Sequence, residues 1–179
     1  MKFIPQSIPE VILIEPILFP DDRGYFSETF RQDLLEDVVG CNIDFIQENE
    51  SKSNYGVLRG LHYQDAPFAQ AKLVRVVSGA VLDVAVDIRK NSPTYGHYVS
   101  VELTAENKFQ LYIPRGFAHG FVVLSDEATF LYKVDNYYSL DHSRGIAFDD
   151  PSLNIDWVLP ISSLKLSTRD KSYPMLEII

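Results

Sequence analysis

Apolar and polar residues alternate with a period of two through most of the middle of the chain, as expected of half-buried strands whose successive side chains face opposite ways. Lys72-Leu73-Val74-Arg75-Val76-Val77 runs through Ser78-Gly79 into residues 80–88, which reads as two strands joined by a glycine-containing turn. Residues 98–103, 110–113, 120–124 and 129–134 follow as short β-branched or aromatic runs separated by Pro, Gly, Asn or Asp. Short strands at such spacing predict an antiparallel sandwich or barrel. Helical periodicity is convincing only over Gln32-Asp33-Leu34-Leu35-Glu36-Asp37-Val38-Val39, where Gly40 supplies the stop. From about Asp149 onward, prolines, Trp157 and weak periodicity predict loops and short turns packed over the barrel.

The same alternation says which polar groups enter an interior. Lys72 shares its face with Val74 and Val76, Tyr132 with Phe130 and Val134, and His119 with Phe121 and Val123. A buried amine is costly unless an anion or a hydrogen-bond partner meets it. In Gly56-Val57-Leu58-Arg59-Gly60-Leu61-His62-Tyr63-Gln64, Arg59 and His62 have opposite parity, so a regular strand would point only one of them inward. Gly60 between them permits a bulge that turns both to one face. An imidazole, a guanidinium and an ammonium gathered this way suit proton abstraction beside an anion. Each residue also has a plainer reading. A histidine on a strand is commonly structural, Tyr132 suits a core aromatic, Lys72 could snorkel to a rim, and Asp170 in Leu166-Ser167-Thr168-Arg169-Asp170-Lys171 could serve a Ser-x-x-Asp cap.

Composition narrows the classes. A chain of 179 residues, 46% hydrophobic and 23% charged, fits one domain spanning 1–179. With 25 acidic against 16 basic residues, a net charge of −9 offers no basic face for nucleic acid, so an anionic substrate needs a local basic pocket. Cys41 is alone, which excludes an internal disulfide and a cysteine-rich metal cluster. His62, His97, His119 and His142 show neither His-x-His nor His-x-x-x-His spacing, and no metal is expected. The N-terminus is broken by prolines and is no signal peptide, and no apolar run approaches the roughly 20 residues that span a bilayer. A cytoplasmic protein without a membrane partner is expected.

Read together, Asp22-Arg23-Gly24-Tyr25-Phe26-Ser27-Glu28, Gln47-Glu48-Asn49, residues 56–64, Gln70-Ala71-Lys72-Leu73-Val74-Arg75-Val76, Asp87-Ile88-Arg89, Ser92-Pro93-Thr94-Tyr95-Gly96, residues 113–121 and Leu131-Tyr132-Lys133 resemble the dTDP-4-dehydrorhamnose 3,5-epimerases over almost the whole chain. The resemblance implies an all-β, double-stranded β-helix (jelly roll) of the cupin type, acting as a homodimer without metal or organic cofactor. It implies inversion at C3 and C5 of dTDP-4-keto-6-deoxyglucose on the way to dTDP-L-rhamnose. In it His62 is the general base, Asp170 orients the His62 ring, Tyr132 is the acid on the opposite face, and Lys72 holds the charge on the C4 oxygen. Arg23 and Arg59 are implied to bind phosphate, and Glu28, Gln47 and Asn49 the nucleotide. His119 is placed by the sugar, Tyr138 on the thymine, and Arg169 and Phe26 among the substrate contacts, with the N-terminal arm crossing to the partner. Two positions depart from the pattern: Ser143 stands where many relatives have glutamate, and Arg169 where a lysine is usual. A single-carbon epimerase of a related nucleotide sugar would keep the same residues. A non-catalytic sugar-nucleotide-binding cupin would not need His62, Asp170, Tyr132 and Lys72 together.

Overall fold

A computed structural model describes residues 1–177. Its strands are β1 Lys2–Pro5, β2 Ile12–Glu15, β3 Phe19–Asp21, β4 Gly24–Phe26, β5 Gln47–Asn54, β6 Leu58–Gln64, β7 Lys72–Ser78, β8 Ala80–Asp87, β9 Tyr98–Thr104, β10 Gln110–Ile113, β11 Phe117–Val123, β12 Glu127–Val134 and β13 Ser143–Gly145. One sheet runs β1-β2-β10-β7-β12-β5, the other β13-β6-β11-β8-β9, and β3 and β4 form a separate hairpin. The paired strands are antiparallel and the two sheets enclose one core, a jelly roll as expected.

Side-chain alternation builds that core. Val74, Val76, Val81, Ala85, Phe121, Val123 and Phe130 meet between the sheets, with Tyr132 packed against them. The opposite faces are covered too. Helix α1, Gln32–Val39, sets Leu35 with Ile43 against Ile12, Ile14, Leu73 and Tyr112 on the first sheet. The C-terminal segment lays Leu153 and Trp157 over Leu58, Leu61, Val84, Val86 and Val122 on the second. Burial on both faces explains why β8 and β11 read as nearly unbroken apolar runs. Helix α1 has the expected bounds and ends at Gly40, which adopts a left-handed φ of 73° and returns its N–H to the Glu36 carbonyl.

Residues 72–88 form two strands joined at Gly79, as expected, but the two strands do not pair with each other. Ser78 pairs with Thr129 of the first sheet, whereas Ala80 pairs with Thr104 of the second. At Gly79 the chain crosses between sheets, and across the core β7 packs near β9 and β12 near β8. Strands β1 to β5 and β13 were not expected. Prolines mask the first two, and β5, Gln-Glu-Asn-Glu-Ser-Lys-Ser-Asn, has no apolar face to announce it.

The irregularity expected at Gly60 is present. On β11 the partners of His62 and Arg59 are His119 and Phe121, so three steps along β6 span two along β11. The extra residue gives Arg59 and His62 one facing, and both line the same cavity. Gly60 has a φ of 143°, and a Cβ there would lie 2.5 Å from the Gly120 Cα. Gly60→Ala should therefore cost about 2 kcal/mol or more, lowering Tm by about 4–8 °C for a chain of this size. A melting curve matching the parent's would contradict this account of the bulge.

Candidate active site

The strands surround a cavity of about 350 Å³ lined by Arg59, His62, Lys72, His119, Tyr132, Tyr138, Arg169 and Asp170, among others. Their origins fix their directions. His62, Arg59 and His119 come from β6 and β11 of one sheet, and Lys72 and Tyr132 from β7 and β12 of the other. His62 and Tyr132 thus reach the cavity from opposite walls.

The His62 Nε2 lies 2.7 Å from Asp170 Oδ1. A carboxylate only accepts, so Nε2–H donates and Nδ1 is left with a free lone pair. Asp170 is sealed, with 5% of its side chain exposed, whereas 40% of the His62 ring remains open. The cap reading of Asp170 applies to its neighbour instead. Ser167 Oγ accepts the Asp170 backbone N–H at 3.1 Å, and this frees the carboxylate for the ring. Tyr173 meets His62 edge-on at 5.6 Å between ring centroids and lies over Gly145, where a Cβ would come within 2.4 Å of the tyrosine ring.

Lys72 is buried. Its Nζ lies 3.4 Å from the His62 carbonyl oxygen and 3.5 Å from His119 Nδ1. Burial pulls its pKa down to about 8, against the opposing pull of Asp83. Burial likewise raises the Tyr132 phenol above its ordinary value, with the nearby Arg59 guanidinium opposing it. That phenol is protonated at neutral pH and available as an acid. Arg59 is held by its Nε donating to Ser53 Oγ at 3.0 Å.

The departures Ser143 and Arg169 prove to be neighbours. Arg169 Nη2 donates to Ser143 Oγ at 2.8 Å and its guanidinium lies 5.7 Å from the Tyr173 ring centre. The loop carrying Tyr138 is tied to β5 and β6 through Tyr138 N to Gln47 Oε1 at 3.3 Å and Ser139 N to Gln64 Oε1 at 2.9 Å. Gln47 and Asn49 bond each other at 2.9 Å on β5, and Asn49 stands opposite Tyr132.

Five expected positions do not line this chain's cavity: Gln47 and Asn49 on β5, and three on the N-terminal arm. Arg23 sits on the β3–β4 hairpin, paired with Asp21, and Glu28 pairs with Arg31. Phe26, 70% exposed, lines a separate groove with Tyr25 and Val77. Sequence reasoning passed over Asp83 and Tyr173. Asp83 has the parity of the inward Val81 and Ala85, which was the available signal. Tyr173 in the aperiodic tail carried none. Among the described residues no three His, Cys, Asp or Glu side chains converge to hold a metal ion, and no helix is long and apolar enough to cross a membrane.

A sequence model of dTDP-4-dehydrorhamnose 3,5-epimerase matches residues 5–177. The Shigella flexneri dTDP-4-dehydrorhamnose 3,5-epimerase is 56% identical over 170 residues, covering 95% of this chain and 93% of that protein. The crystal structure of the Elizabethkingia anophelis dTDP-4-dehydrorhamnose 3,5-epimerase superposes with a TM-score of 0.96 at 48% identity, over 99% of this chain and 97% of the other. The Legionella pneumophila dTDP-6-deoxy-D-glucose-3,5-epimerase, solved in complex with dTDP-4-keto-L-rhamnose, gives 0.94 at 47% identity, over 99% and 94%.

The environment of Lys72 predicts an ammonium that titrates near pH 8. A ¹³C NMR titration of its Cε should show that midpoint, and a value close to that of a solvated lysine would mean that water reaches the amine.

Proposed function

The chain belongs to the dTDP-4-dehydrorhamnose 3,5-epimerase family, and from that premise we propose that it inverts C3 and C5 of dTDP-4-keto-6-deoxy-D-glucose to give dTDP-4-keto-L-rhamnose. The observation that carries this reading is a sealed carboxylate–histidine pair on one wall of the cavity and a protonated phenol on the other, with a buried ammonium nearby.

Both carbons adjoin the C4 ketone, so a proton leaves either one only if the enolate oxygen is stabilised. The His62 Nδ1 takes the proton, and Asp170 supports the imidazolium that forms. Lys72 donates to the enolate oxygen inside a poorly solvated cavity, where a preorganised donor contributes most. The Tyr132 hydroxyl then protonates the carbon from the opposite face, so the configuration inverts. Exchange with solvent returns the proton to the phenolate and removes it from the imidazolium.

The remaining cations suit the nucleotide. Arg59 and Arg169 take the diphosphate oxygens, for which a guanidinium offers paired donors. Tyr138 stacks on thymine, Gln47 and Asn49 contact the nucleoside, and His119 faces the sugar. Ser143 leaves this rim without a carboxylate, so the positive charge of Arg169 is uncancelled at that contact. Arg23, Phe26 and Glu28 complete the site of a second subunit in a cytoplasmic homodimer; the exposed Ile17, Phe19, Tyr25 and Phe26 of the N-terminal arm support such a crossing.

Proton NMR of the substrate with this protein in deuterated buffer should show loss of the C3 and C5 proton signals, and His62→Ala should abolish both. Exchange at one carbon would make the protein a single-position epimerase, and no exchange would reject the activity. For the arm, mixing inactive His62→Ala chains with inactive Arg23→Ala/Glu28→Ala chains should restore turnover, because a mixed dimer then holds one complete site. A mixture as inactive as its components would return the arm to its own subunit.

A further inference from the structure

Asp83 is unused by the chemistry above, yet its carboxylate is fully buried in the barrel. Its side chain is 0% exposed and stands on β8 between the inward-facing Val81 and Ala85. Its Oδ2 lies 2.9 Å from His119 Nε2, and its Oδ1 is buried without a hydrogen-bond partner. An ionised carboxylate left so poorly satisfied is expensive, and hydrophobic packing would be served better by a valine.

What it holds is one step from the reacting atoms. A carboxylate accepts only, so the proton of a neutral His119 ring sits on Nε2 and the lone pair on Nδ1. That lone pair is 3.5 Å from the Lys72 Nζ. Burial keeps His119 neutral by lowering its pKa, with Asp83 opposing and the Lys72 ammonium reinforcing the shift. The contacts connect the three side chains in sequence, from a buried anion through a neutral ring to the cation.

We propose that Asp83 is a positioning residue for epimerisation, fixing the His119 ring so that Nδ1 accepts from Lys72 and the ammonium stays charged and aimed at the substrate's C4 oxygen. The role rests on the epimerase reading, and it gives the barrel two histidine–carboxylate pairs with opposite duties. Asp170 makes a base of His62, and Asp83 makes an acceptor of His119. The other charged or titratable groups lining the cavity with Lys72 and His119 are Arg59, His62 and Tyr63 of β6, Tyr132 of β12, Glu50 of β5, and Tyr138, Arg169, Tyr173 and Asp170 from the loops beyond, the Asp170 carboxylate being committed to His62. Among these acids and Asp83, it is Asp83 whose charge acts on Lys72.

Asp83→Asn keeps the shape and removes the charge. Asp83 opposes the downward shift of Lys72, so its loss lowers the pH at which the ammonium deprotonates. The basic limb of the kcat profile should move to lower pH. At neutral pH kcat should fall at least about tenfold, short of the roughly 100- to 1,000-fold loss from deleting an oxyanion donor outright, while KM changes little. An unmoved basic limb with parental kcat would overturn the proposal. Should this variant fail to fold, ¹⁵N NMR of the His119 ring in the unmodified protein decides. A neutral ring protonated on Nε2 supports the relay, and an Nδ1–H ring or an imidazolium at neutral pH refutes it. If the unmodified protein does not turn over the 4-keto sugar, the epimerase reading fails by itself, and the tautomer still reports on the relay.

Discussion

An ammonium lodged in an apolar barrel sets the terms for the rest of this structure. Lys72 points inward because strand alternation gives it the facing of Val74 and Val76, and only 8% of the residue remains exposed, at the cavity wall. Desolvation of that size must be answered by nearby electron density. The His62 carbonyl and the His119 ring supply it directly, and Asp83 stands behind the ring. The cost of burial is also the source of catalytic strength, because the same poor solvation that depresses the lysine magnifies its field on a developing oxyanion.

The two histidines show how one side-chain type takes different work from its surroundings. Each gives Nε2–H to an almost wholly buried carboxylate, which leaves Nδ1 as the working atom. The His62 ring is partly open to the cavity and can exchange protons with substrate and solvent. His119 is almost wholly buried in the cavity wall, and its Nδ1 meets a cation already in place. Both depend on β6 and β11 being neighbours with a one-residue slip at Gly60, since without the extra residue Arg59 and His62 would face apart. The backbone irregularity is therefore a condition of the chemistry.

Much of this was legible in the sequence, for a physical reason: period-two alternation both predicts strands and assigns their faces. The inward placement of Lys72, His119 and Tyr132 and the bulge at Gly60 follow from it. Three things did not. Whether Gly79 closes a hairpin or passes the chain between sheets depends on long-range pairing with Thr129 and Thr104, which local pattern does not encode. Strand β5 is polar on both faces because its inner face supports the site, so it looked like a loop. The meeting of His62 with Asp170 spans 108 positions and came from family resemblance, as no spacing rule joins them.

The central claim is that two groups on opposite walls move protons to opposite faces of one carbon, and the Tyr132→Phe protein tests it most directly. Incubated with dTDP-4-keto-6-deoxyglucose in deuterated buffer and followed by NMR, it should still admit deuterium through His62 while forming little or no inverted product. Inversion at the parental rate would show that Tyr132 is only a core aromatic, and the two-wall account would fail.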